Sequence, residues 1–230
     1  MKKNMEHKPA GSRYTPQVKI CGLTGIDDAV KCAELGADAI GLVFHPKSPR
    51  FVTDKRAREI SLALPKKTKK VGVFVDETFA SIMQKIERCG INAVQLHGNE
   101  PPQLVGSLRK ENLIIIKALF LEKKPAFEDA VNYEVSAFLA ECGTGALPGG
   151  NALSWDWEKA KMISGKYPLI LAGGLTPENV SQAVSLCLPD AVDVSSGVES
   201  APGIKDIEKV KLFISRVSEC SLAKRPGRIF

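Results

Sequence analysis

The chain has 230 residues, 44% of them hydrophobic and 25% charged, which is enough length for a full core and excludes a disordered chain, a collagen and a coiled coil. Its longest strongly apolar stretch, Leu113–Leu121, is broken by Lys117 and falls far short of the roughly 20 residues of a spanning helix, so no membrane partner is expected. The formal charge of +6 lies at the ends, +3 in residues 1–17 and +3 in residues 221–230, with 18–220 summing to zero; such ends read as solvated tails rather than a basic face, so no nucleic-acid partner is expected.

Residues 1–17 read as an N-terminal extension. They carry charge but no apolar run of the kind a secretory signal needs. The six cysteines form no CxxC pair and no Cys/His clip, so no metal site is expected. Cys32, Cys89 and Cys187 fall in apolar helical patterns as small hydrophobes. A reducing, cytoplasmic setting follows as the expectation.

From Val18 onward, short Val/Ile/Leu-rich runs alternate with helix-like segments. The runs are Val18–Leu23, Ala37–Phe44, Lys70–Asp76, Ala93–Gly98, Leu113–Phe120, Ala137–Glu141, Pro168–Gly174 and Ala191–Gly197. Between the first two, Asp27 heads an amphipathic segment that Gly36 closes. Thr78 precedes a second, FASIMQKIERCG, and Thr176-Pro177-Glu178 opens a third, with Pro in the first helical turn. Continuous apolar runs such as LIIIKALF read as strands buried on both faces of a parallel sheet. Eight βα units without a linker fit one α/β domain over 18–220, a (β/α)8 TIM barrel, with 221–230 as a C-terminal tail. A doubly wound open sheet shares the alternation and stands as the alternative.

In such a barrel, chemistry sits where the strands end. Cys21 ends the first strand, where a thiol serves as base or nucleophile if Lys19 or the following helix start lowers its pKa; an inert half-buried cysteine is the other reading. Arg50, in the Pro-framed HPKSPR loop, suits a carboxylate or phosphate, or is a plain surface arginine. His97 ends the fourth strand, bonded to substrate or to backbone. Glu141 ends the sixth and suits a general acid, provided burial raises its pKa. The glycine-rich loop after it reads as a mobile cover. Gly173-Gly174 and the Ser196-Gly197 turn end strands seven and eight, where backbone N–H groups wrap phosphates in barrels. A phosphorylated small molecule is therefore the expected ligand. Asp193, inside the eighth strand among apolar neighbours, requires partners if ionised.

Six segments in order, VKICGLT, DAIGLVFHPKSPRFV, VGVFVDE, VQLHGNE, LAGGLTPENV and VDVSSGVESAPGIKD, resemble the phosphoribosylanthranilate isomerases of tryptophan biosynthesis. The resemblance implies a (β/α)8 barrel, monomer or homodimer, using no metal or organic cofactor. It implies an Amadori rearrangement of N-(5-phosphoribosyl)anthranilate to 1-(2-carboxyphenylamino)-1-deoxyribulose 5-phosphate. It makes Cys21 the base and Arg50 the partner of the anthranilate carboxylate. It sets His97 and Asp193 near the substrate, and the phosphate against Gly173, Gly174, Ser196 and Gly197. The family's acid is an Asp on strand six; here Glu141 holds that position. Gly149-Gly150-Asn151-Ala152 departs from the family's GGTG-like element, while Trp155-Asp156-Trp157 matches its Phe-Asp-Trp. Two alternatives remain at this point: a barrel that binds such ligands with little turnover, and another phosphoribosyl-substrate isomerase, for which an Asp base is usual where this chain has Cys21.

Overall fold

The computed structural model describes residues 14–143, 155–222 and 226–230. Eight parallel strands close into a barrel in chain order. They are β1 (Gln17–Cys21), β2 (Ala39–Val43), β3 (Lys69–Phe74), β4 (Ala93–Leu96), β5 (Ile114–Phe120), β6 (Ala137–Glu141), β7 (Leu169–Leu171) and β8 (Ala191–Val194). Closure is direct: Gln17, Val18, Lys19 and Ile20 pair in register with Ala191, Val192, Asp193 and Val194. That closure excludes the open doubly wound sheet. All eight expected runs are strands, most of them shorter than the apolar run itself, because the run continues into the βα loop that carries the site.

The helices are α1 (Ile26–Glu34), α2 (Asp54–Ala63), α3 (Phe79–Cys89), α4 (Pro102–Leu108), α5 (Lys161–Ser164), α6 (Val180–Cys187) and α7 (Ile207–Glu219). Their limits follow local chemistry. Thr78 caps α3 by accepting from the Ser81 N–H, and Gly90 ends it in the left-handed conformation at φ 68°. Gly36, at φ 110°, follows the end of α1. The third expected helix begins later than Thr176-Pro177-Glu178 suggests. Asn179 takes the Thr176 N–H on its Oδ1 and donates from Nδ2 to the Gly174 carbonyl, so residues 177–179 form a turn and α6 starts at Val180. A 3-10 turn, Phe127–Asn132, stands in for a helix between β5 and β6.

Alternation along each strand divides the core. Residues such as Val18, Ile20, Ile40, Leu42, Val94, Leu96, Phe138 and Leu169 face the helix layer. Ala39, Val71, Ala93, Ile116, Ala137, Leu139, Ile170 and Ala191 fill the lower lumen. The upper lumen is polar: Lys19, Gln95, His97, Glu141 and Asp193 are all buried there.

The tail corrects one expectation. Residues 221–230 read as solvated, yet Ile229 and Phe230 are 7% and 4% exposed and join the lower-lumen cluster. Gln17, the first residue of β1, holds them: its Oε1 accepts from the Ile229 and Phe230 N–H groups and its Nε2 donates to the Phe230 carbonyl. The small alanines at the strand starts leave a hole that two large apolar side chains close. Nearer the helix layer, Leu222 pairs with Tyr14.

Candidate active site

The strand ends gather the predicted residues at one mouth of the barrel. Cys21 lies at the end of β1, buried, opposite Gly41 of β2. The pairing needs that glycine: a Cβ on Gly41 would stand 2.6 Å from the Cys21 sulfur. Beneath the thiol, Lys19 Nζ bonds Asp193 Oδ2 at 2.8 Å, both side chains buried. Asp193 thus has the partner its position demanded, and its Oδ1 has none among the described residues. Burial pushes the Cys21 thiol above its usual pKa, with the Lys19 ammonium opposing. Burial also opposes charge on Lys19, but Asp193 and the Cys21 sulfur outweigh it and hold the ammonium above its usual value. The thiol thus stands beside a positive charge that Asp193 holds in place.

Across the lumen, His97 Nε2 lies 3.1 Å from Glu141 Oε2, both side chains buried. Gln95 Nε2 lies 3.0 Å from His97 Nδ1. Gln95, in β4, and His97, the residue directly after that strand, stand two apart and share one face, both side chains buried. His97 Nε2 meets the Glu141 carboxylate at ion-pair distance but makes no hydrogen bond among the described residues. Burial alone would raise the Glu141 carboxyl. The imidazole, with Lys123 and Lys19 further off, outweighs it and holds the carboxyl below the usual range. This corrects the expectation that burial sets the Glu141 pKa: the resting residue is a carboxylate with an imidazole against it.

Arg50 is buried rather than exposed. Its guanidinium forks onto Glu199, Nε to Oε1 at 2.8 Å and Nη2 to Oε2 at 2.7 Å. Its stem crosses over Gly22, where any side chain would collide with it. Glu199 begins a small hairpin, β9 (Glu199–Ala201) and β10 (Ile204–Lys205), and Lys205 Nζ bonds the same Glu199 Oε1 at 2.7 Å. Glu199 and Lys205 went unrecognised in the sequence. The Pro202-Gly203 turn between two short runs was the available signal for the hairpin; nothing marked its glutamate as the partner of an arginine 149 positions away.

After β7, Gly173 and Gly174 take positive φ, 84° and 67°. Their carbonyls and that of Ala172 are all taken by side-chain donors: Trp155 Nε1 to Ala172, Trp157 Nε1 to Gly173 and Asn179 Nδ2 to Gly174. The carbonyls are anchored away, and the Gly173 and Gly174 amides donate to nothing among the described residues. Beside them, Ser196-Gly197 opens a single 3-10 turn, Ser196–Val198, whose first amides have no intrahelical partner. A Cβ on Gly197 would run into the Leu175 carbonyl, so the two loops pack too closely for any other residue.

Asp76, also at a strand end, serves the scaffold. At φ 53° its N–H bonds Glu100 and its Oδ1 accepts from the Asn99 N–H. Glu100 in turn pairs with Lys117 at 2.8 Å. The glycine-rich loop read as a cover, with Gly149-Gly150-Asn151-Ala152, lies outside the described residues, as do residues 1–13 of the N-terminal extension. No helix among the described residues is long and apolar enough to cross a membrane.

Residues 18–216 match the model of the N-(5'-phosphoribosyl)anthranilate (PRA) isomerase family. A protein of Desulfatibacillum aliphaticivorans named N-(5'-phosphoribosyl)anthranilate isomerase is 53% identical over 214 residues, 93% of this chain and 98% of that relative. A solved phosphoribosyl anthranilate isomerase in complex with reduced 1-(o-carboxyphenylamino)-1-deoxyribulose 5-phosphate is 39% identical, with TM-score 0.79 over 88% of this chain and 98% of its own. Monomers generated from the dimeric enzyme of Thermotoga maritima are also 39% identical, with TM-score 0.78 and the same coverage. The chain belongs to the phosphoribosylanthranilate isomerase family.

Proposed function

We propose that Cys21 and Glu141 carry the two proton transfers of the family's isomerisation in this chain, on N-(5'-phosphoribosyl)anthranilate held between Arg50 and the loops after β7 and β8. The observation that carries this reading is the opposition, across one polar lumen, of a thiol over the Lys19–Asp193 pair and a carboxylate against His97. An Amadori rearrangement needs a proton delivered to the furanose ring oxygen, which opens the ring to a Schiff base. It then needs the C2 proton removed, giving an enolamine that tautomerises to the ketone. Each proton transfer by a placed group is worth roughly 10²–10⁴-fold.

The base side needs a thiolate, which forms against the Lys19 ammonium. On the acid side Glu141 delivers the proton to the ring oxygen, taking one up from solvent for each turnover, and the imidazole beside it governs how readily the carboxyl holds that proton. Glu141 is one methylene longer than the family's Asp, and contact with an imidazole fixes where that longer arm points. The Arg50 edge not bound to Glu199 suits the anthranilate carboxylate. The amides of Gly173, Gly174, Ser196 and Gly197 suit the phosphate. Asp193 Oδ1 suits a sugar hydroxyl. The chemistry calls for no redox cofactor.

Adding the protein to freshly made N-(5'-phosphoribosyl)anthranilate and following the loss of anthranilate-type fluorescence tests the reading. Decay well above the spontaneous background is expected. Binding of the reduced product without such decay would instead favour a binding barrel.

A further inference from the structure

The Arg50 guanidinium has five N–H donors, and the structure accounts for two of them. Nε–H and one Nη2–H point at the two oxygens of Glu199. The far edge, formed by Nη1 and the other Nη2–H, meets no partner among the described residues. That edge has the same fork geometry as the one Glu199 occupies, so a second carboxylate in plane fits it bidentately.

Which edge is open depends on Glu199, and Glu199 is itself fixed from several sides. Lys205, with a fully buried side chain, bonds its Oε1 at 2.7 Å and the Ser195 carbonyl at 3.1 Å. Lys209 Nζ donates to the Glu199 carbonyl at 3.0 Å. Thr24 ties the hairpin turn to the loop after β1 by donating to the Gly203 carbonyl at 2.6 Å. The Arg50 stem rests on Gly22, the residue after Cys21. Ser195, which Lys205 holds, directly precedes the Ser196-Gly197 turn and donates its hydroxyl to the Cys21 carbonyl at 3.1 Å. One hairpin therefore ties the arginine, the thiol strand and the candidate phosphate loop into a single rigid frame.

We propose that Glu199, backed by Lys205, is a positioning residue: it sets the exposed edge of Arg50 and thereby the enzyme's selectivity for a ligand bearing an aryl carboxylate at a fixed distance from its phosphate. The proposal rests on the reading of Arg50 as the carboxylate partner. A glutamine at position 199 keeps the shape but turns an NH₂ toward donors. An aspartate keeps the charge but draws the fork back by one methylene. Both release the guanidinium from its plane, and losing a charge-assisted hydrogen bond to the ligand costs on the order of 10- to 100-fold in affinity.

The test measures affinity for two ligands, reduced 1-(o-carboxyphenylamino)-1-deoxyribulose 5-phosphate and the same compound without its ring carboxylate, in the wild-type protein, Glu199→Gln and Glu199→Asp. Both variants are expected to bind the carboxylated ligand about 10- to 100-fold more weakly and the decarboxylated one within about threefold of wild type. KM is expected to rise while kcat stays within about threefold. A purely structural or charge-neutralising role is indicated if both ligands weaken alike, or if Glu199→Asp behaves as wild type, and either outcome overturns the proposal. Should Glu199→Gln not fold, the Asp variant decides alone. The functional reading fails separately, by absence of turnover in the wild-type protein, while the binding comparison stands without turnover. A wild-type protein that does not distinguish the two ligands overturns the role of Arg50 and this proposal with it.

Discussion

His97 shows how one side chain decides the chemistry of another. Glu141 is buried, and burial raises a carboxyl; the imidazole 3.1 Å away reverses the direction and holds it ionised. Replacing His97 with Asn removes the largest effect opposing burial and leaves only the more distant Lys123 and Lys19 against it. The Glu141 pKa then rises, and the limb of the kcat/KM–pH profile that reports this carboxyl moves to higher pH. A fall in kcat should accompany the shift, because the imidazole that fixes where the Glu141 arm points is gone. The same pair bears on stability. A carboxyl with a depressed folded pKa adds stability above its unfolded pKa and loses it as pH falls through the folded value. Denaturation of wild type against His97→Asn across the acid range should show the variant losing less on acidification. An unmoved limb would mean that Glu141 titrates independently of His97.

At the scale of single elements, the site depends on residues that carry no functional group. Gly41 makes room on β2 for the thiol of β1. Gly41→Ala should cost about 1–3 kcal/mol by urea denaturation and lower kcat as well, because the displaced atom is the sulfur. Gly106, inside α4, provides the contrast: nothing lies within 4 Å of the position its Cβ would take. Gly106→Ala should therefore stabilise by about 0.5–1 kcal/mol and leave turnover unchanged. Elements of this kind were legible where a pattern repeats. Eight apolar runs in parallel-strand composition gave the strand order, and the rule that barrel chemistry lies at strand C-termini pointed to Cys21, His97 and Glu141. Glu199 and Lys205 were not legible, because each owes its role to a partner on another strand or loop and no periodicity encodes that pairing; Gln95 was not, because an alternating strand pattern marks its face but not its contact with His97. The delayed start of α6 has a similar cause: the Asn179 side chain satisfies groups on both sides of the turn that a helix would otherwise use.

Across the whole molecule, the barrel is apolar and closed at one end and polar at the other. Phe230 closes the lower end at 4% exposure, and Ile229 lies beside it. The sequence hid this because the residues before them are basic and look solvated. Phe230→Ala should lower stability by about 3 kcal/mol in urea denaturation while kcat at 25 °C stays near wild type, because the strand ends that hold the site lie at the opposite mouth. A variant that lost activity in proportion to stability would contradict this separation. The polar mouth has its own organisation. The Lys19–Asp193 pair, the Glu141–His97 pair and the Arg50–Glu199–Lys205 group each confine buried charges to a fixed geometry. Breaking any of them leaves an uncompensated buried charge, which is costly, so the strand-end side chains are preorganised before a ligand arrives.

The most direct measurement is turnover of N-(5'-phosphoribosyl)anthranilate by wild type, Cys21→Ala and Glu141→Gln side by side, with affinity for the reduced product measured on the same samples. Division of the two proton transfers between Cys21 and Glu141 predicts that each variant loses at least about 100-fold in kcat while binding the reduced product within about tenfold of wild type. Turnover by either variant within about threefold of wild type would contradict it and move that proton transfer to another residue.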